Sequence, residues 1–158
     1  MIITCLSRSL IFAILMSFVS LTTAFAGLAG AQAVDEAWRT AIIANDLDGV
    51  MAVYADDAVM WLPDSPEAKG RDAIRKSYEG LLAANTVTGV TFANTQYQTS
   101  GDLSVGWGDF TLSLKPKAGG AAATMAGRFS VIARDEKGTW VYVVDHGSAT
   151  PASAKSGG

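Results

Sequence analysis

Asp145 and His146 are the side chains whose types best suit proton transfer, a carboxylate next to the chain's single histidine. They sit in a segment, 139–148, that reads as the last strand. Neighbours in a strand point to opposite faces, so these two cannot form an acid–base dyad with each other. Arg128 is the third candidate. Asp135-Glu136-Lys137-Gly138 reads as a hairpin turn. A two- or four-residue turn there pairs Arg134 with Thr139, and counting back sets Arg128 opposite Asp145 on one face. Two readings of that pair stand side by side. It is a salt bridge satisfying two buried charges, or it is the catalytic, ligand-orienting pair of an otherwise apolar pocket. His146, on the other face, is expected at the surface or a dimer contact, because nothing near it has metal-ligand spacing.

Other chemistries lack their residues. The only cysteine, Cys5, precedes the domain, which leaves no thiol nucleophile, disulfide or thiolate ligand. Neither a Gly-rich phosphate loop, a metal motif nor a Ser-His-Asp arrangement is present, so no metal or cofactor is expected. Asp56-Asp57 reads as a solvated turn. Lys and Arg number 12 against 15 Asp and Glu, a formal charge of −3, and form no basic stripe. Nucleic acid is therefore not an expected partner.

The elements that must position these groups follow from periodicity. Val34, Ala37, Trp38, Ala41 and Ile42 make one apolar helical face. Asn45-Asp46 ends that helix and caps a second, carrying Val50, Met51, Val53 and Tyr54. Residues 58–62 read as a short strand that Pro63 and Pro66 end. After Gly70 a third helix presents Ile74, Tyr78, Leu81 and Leu82. The period then changes to two, predicting strands over about 88–99, 103–114, 124–134 and 139–148, with Gly101-Asp102 as a tight turn. Helices followed by consecutive hairpins specify an α+β domain. The three helices pack on one face of a strongly bent antiparallel sheet and leave a cone between the layers.

That order resembles the nuclear transport factor 2-like (cystatin-like) fold, in its SnoaL-like and ketosteroid-isomerase-like branch. The local motifs that carry the resemblance are Asn45-Asp46-Leu47-Asp48 through Tyr54-Ala55-Asp56-Asp57-Ala58, Gly70-Arg71-Asp72-Ala73-Ile74-Arg75, Ser100-Gly101-Asp102-Leu103, and the run from Trp140 to Asp145. The resemblance covers nearly all of residues 34–149. The fold hosts enzymes, binding proteins and assembly domains, so it does not by itself name a function.

Comparison with the ketosteroid isomerases sharpens the expectation. Their chemistry needs a carboxylate base and an oxyanion hole of a tyrosine and a protonated aspartic acid. The position matching the base is Leu62, and the one matching the oxyanion tyrosine is Trp38. The oxyanion aspartate falls near Ser130 or Arg128. The resemblance thus implies a kept pocket wall and lost isomerase machinery. It also puts Val143, Asp145 and Gly147 on the pocket face and Trp140 and Tyr142 on the other, where homodimerisation is usual. Trp38, Tyr54, Met60, Leu62 and Tyr78 are expected to line the apolar part and bind a small hydrophobic molecule. An isomerase, lyase or hydrolase type of enzyme, or a noncatalytic binding or assembly domain, both fit.

The segment before the first helix has the layout of a secretory signal peptide. Arg8 is its only charge, an apolar run spans 10–21, and Ala24-Phe25-Ala26 is an A-x-A cleavage pattern. The run is shorter than the roughly 20 residues a spanning helix needs. Residues 1–26 are therefore expected to be a leader, or 1–33 if the second pattern, Ala31-Gln32-Ala33, is the one cut. Export to a periplasm or the medium is expected, with no membrane association after cleavage. Residues 150–158, rich in Ala, Ser and Gly, read as a disordered tail.

Overall fold

The computed structural model describes residues 28–150. The apolar leader with its first cleavage pattern, and the tail from Pro151, lie outside the described residues. The second cleavage pattern lies inside them, in the first turn of α1 (Gly30–Ile43). There the Ala31 amide donates to Ser104 Oγ at 2.9 Å, and Gly30, at φ 64°, leaves no room for a side chain against that same hydroxyl. The folded domain thus begins before Val34.

Asn45, in the left-handed region at φ 55°, ends α1. Its side-chain amide donates to Val87 O and accepts from Val87 N, as a neighbouring strand would. Asp46 caps α2 (Leu47–Ala52) by accepting from the Gly49 amide at 3.0 Å. Tyr54, expected on this helix, instead opens β1 (Tyr54–Trp61). After the two-residue β2 (Ala68–Lys69) comes α3 (Arg71–Ala84), whose Ile74, Tyr78 and Leu82 are buried. Four long strands complete the chain: β3 (Asn85–Ser100), β4 (Leu103–Pro116), β5 (Ala123–Glu136) and β6 (Thr139–Ala149). The sheet order is β2-β1-β6-β5-β4-β3.

The α+β layering agrees with the sequence reading, but the sheet is mixed, since β1 runs parallel to β6. Parallel neighbours need a long crossover, and α3 with strands β2 to β5 supplies it. The core lies between α1, α2 and α3 and the concave sheet face, where Val34, Ile42, Val50, Met51, Tyr54 and Ile74 are fully enclosed.

The β5–β6 hairpin departs from the expected register twice. Its loop is Lys137-Gly138, with φ 58° and 91°. Two positive φ values are what a two-residue type I′ turn requires. Glu136 therefore faces Thr139. Further on, Ala133 faces Tyr142 while Ile132 faces Val144, so Val143 is an extra residue. Such a bulge bends the strand and moves every later side chain to the other face. Asp145 consequently lies opposite Val131, and Arg128 opposite Ser148. The expected Arg128–Asp145 pair does not form.

Candidate active site

The cone between helices and sheet holds a cavity of about 780 Å³. Its walls are mainly apolar and aromatic, with Met60, Phe92, Phe110 and Phe129 among them. Phe92 packs on Trp38 and Phe129 with ring centroids 6.1 and 5.2 Å apart. Leu62 stands at the exposed border with segment 62–67.

Of the expected lining residues, Trp38, Met60, Leu62 and Tyr78 face the cavity. Tyr54 does not line it; fully buried, it stands behind Asp145 and Tyr78. Arg128 is exposed and borders no part of the cavity. No salt bridge joins Arg128 to a carboxylate among the described residues. Ser130 shares that outer face, where its hydroxyl meets His146 Nδ1 at 3.1 Å. The two positions matched to an oxyanion aspartate therefore lie on the wrong side of the sheet. Their strand neighbours Phe129 and Val131 are the ones that face the cavity there.

Asp145 is the carboxylate that reaches the cavity as expected. A directed chain of hydrogen bonds ends on it. The Trp38 indole N–H, which can only donate, donates a hydrogen bond to Tyr78 Oη at 2.8 Å. The Tyr78 and Tyr54 hydroxyls are 2.7 Å apart. Tyr54 donates to Asp145 Oδ2 at 2.5 Å. A hydroxyl has one proton, so with Tyr54 committed to Asp145, Tyr78 donates to Tyr54. Chains of this kind polarise in one direction and strengthen each link. Burial raises the Asp145 carboxyl above its usual range, opposed by the Tyr54 hydrogen bond and the neighbouring His146. No donor among the described residues reaches Asp145 Oδ1, yet no side-chain oxygen there is both buried and unpaired. That oxygen is therefore open to the cavity.

A second carboxylate, Asp35, was not anticipated. It is 2% exposed and also borders the cavity. Tyr97 donates to its Oδ2 at 2.8 Å and Tyr142 to its Oδ1. Burial raises it to about 6, against the two tyrosine hydrogen bonds, with the charge of Asp145 adding to the rise. Asp35 stands three residues before Trp38, a spacing that puts both on one helical face. That spacing was the available signal. Tyr142 was hidden by the bulge at Val143, which lets residues 142 and 145 share a face despite odd spacing. Trp140 likewise packs against the core and not on the outer face.

The arrangement offers a mostly apolar cavity with one open carboxylate oxygen, at Asp145, that can accept a hydrogen bond or a proton. Among the described residues no cluster of His, Cys, Asp or Glu suits a metal ion.

Solved structures with the same architecture come from several bacteria. A ketosteroid isomerase-like protein from Erwinia carotovora atroseptica is 24% identical, covers 76% of this chain and 93% of its own, and superposes with a TM-score of 0.66. A putative aromatic ring hydroxylase from Novosphingobium aromaticivorans is 21% identical over 77% of this chain and 87% of its own, with a TM-score of 0.68. A nuclear transport factor 2 (NTF2-like) superfamily protein from Salmonella enterica is 15% identical over 79% and 92%, with a TM-score of 0.66. At such identities the likeness concerns the fold alone. No curated protein matches the sequence. The SnoaL-like domain matches residues 31–153, from the first turn of α1 past the end of β6. With helices, bent sheet and cone in the order the sequence motifs require, the chain belongs to the SnoaL-like domain family.

Proposed function

We propose that this is an exported protein that binds a small, largely apolar molecule in the cone. Its polar anchor and proton acceptor is Asp145, in a reaction of isomerase, lyase or hydrolase type. The observation that carries the reading is the chain Trp38–Tyr78–Tyr54–Asp145. It fixes one carboxylate oxygen and leaves the other open to an apolar cavity. A general base works best with a pKa nearer neutrality than an ordinary carboxylate has, and burial moves Asp145 in that direction. Leu62 and Trp38 supply no isomerase base or hydroxyl, so the reaction is not that of a ketosteroid isomerase.

The test is a ligand-library thermal-shift screen on the mature protein and on Asp145→Asn. Ligands that stabilise the wild type and lose most of that shift in the variant support the reading. Ligands that stabilise both equally would leave Asp145 without a role in binding.

A second reading has its own observation. The outer sheet face exposes Trp61, Leu103, Val105 and Trp107, with Ile132 and Val144 in the same cross-strand row as Val105. A second copy of the chain is the proposed cover, in a homodimer or assembly that is noncatalytic if the cavity proves inert. These residues replace Trp140 and Tyr142 as the apolar face. Export rests on the leader pattern, and the first cleavage pattern is favoured, because cutting after Ala33 would remove the anchored start of α1.

A further inference from the structure

We propose that the molecule the cavity selects is an organic cation, an amine carried on a ring-sized apolar body, with its ammonium beside Asp145 and within the field of Asp35. The inference rests on the cavity being the binding site and names what that site takes. Four carboxylates border the cavity, Asp35 and Asp145 within the cone and Asp64 and Glu67 at its exposed border, and none of them forms a salt bridge among the described residues. Lys76, the cationic residue in the cavity wall, is exposed on α3. Asp64 and Glu67 line the same exposed border, so Lys76 gives the entrance no net positive charge. Arg128 is on the far side of the sheet.

The walls suit the same ligand. Trp38, Tyr78, Phe92, Phe129 and Tyr142 all border the space, and aromatic faces attract ammonium groups, more strongly where water is excluded. The volume lies within the usual range for drug-sized ligands, roughly 300–1,000 Å³. The roles of the two acids differ. Both oxygens of Asp35 already accept tyrosine hydroxyls, so it acts through its charge. Asp145 has the open oxygen and makes the direct hydrogen bond to N–H. An anionic ligand meets two like charges, and a neutral one leaves them uncompensated.

The experiment compares three probes that share one body: 2-naphthylmethylamine, 2-naphthylmethanol and 2-naphthoate. Each is titrated calorimetrically into the mature protein at pH 7.5, and the first two into Asp145→Asn and Asp35→Asn. The amine is expected to bind at least about tenfold tighter than the alcohol, a preference of the size charge-assisted hydrogen bonding gives. The naphthoate is expected to be weakest. Asp145→Asn removes most of the preference and Asp35→Asn part of it. Equal binding of amine and alcohol by the wild type overturns the cation proposal and leaves the cavity a binding site. Tighter binding of the naphthoate overturns it as well. If none of the three binds, both the proposal and the reading of the cavity fall. Should either variant not fold, the wild-type comparison of amine with alcohol still decides.

Discussion

Replacing Asp35 with Asn should abolish a pH dependence of stability that this residue imposes. Asp35 is 2% exposed, so solvent screening takes little from the effect. In the folded chain its carboxyl lies at about 6, against about 3.9 for an unfolded aspartate. The folded value is raised. The group therefore favours the folded state fully below pH ~4, and that contribution is lost as pH climbs through about 6. The gap corresponds to about 3 kcal/mol. Asn keeps the shape, its oxygen accepting from one tyrosine and its amide donating to the other after that hydroxyl turns. It has nothing to ionise. Urea unfolding of both proteins at steps from pH 4 to 7.5 gives the difference, and groups common to both cancel. The variant should gain about 3 kcal/mol on wild type across that window. A difference that stays flat, or that moves toward wild type as pH rises, would refute the placement of Asp35 as a buried, cation-free carboxylate.

Arg128→Met should change stability by no more than about 0.5 kcal/mol and add independently to Asp145→Asn, as exposed and non-contacting sites do; a double-mutant cycle by denaturant melts checks this. Light scattering should show a dimer at high micromolar concentration. Trp107→Glu should weaken it by about 2 kcal/mol or more, roughly thirtyfold in Kd, as loss of an aromatic anchor does. Steroid isomerisation assayed by absorbance should stay at background, since Leu62 cannot supply the about 10²–10⁴-fold that a positioned base contributes. N-terminal sequencing of exported protein should begin at Gly27, and a start at Val34 would mean that α1 tolerates loss of the Ala31–Ser104 bond.

The sequence by itself determined the elements and the class. Helical spacing from Val34 to Ile42, the Asn45-Asp46 break, the start of the third helix after Gly70 and the Gly-containing turns are local signals. Local signals read out local conformation. The same spacing put Trp38 and Tyr78 on inward faces, and motif order was enough to reach the SnoaL-like domain family. Tertiary structure decided everything that depends on register. One extra residue at Val143 moves Tyr142 inward beside Asp145 and leaves Arg128 outside. Strand parity has period two, so a single inserted residue inverts it, and no pattern in residues 128–145 marks the insertion. Tertiary structure also made Asp35 a site residue. On the sequence it is an acid beside an apolar stripe. Only the approach of Tyr97 and Tyr142, 62 and 107 positions away, gives it hydrogen-bond partners, and only burial in the fold raises its carboxyl.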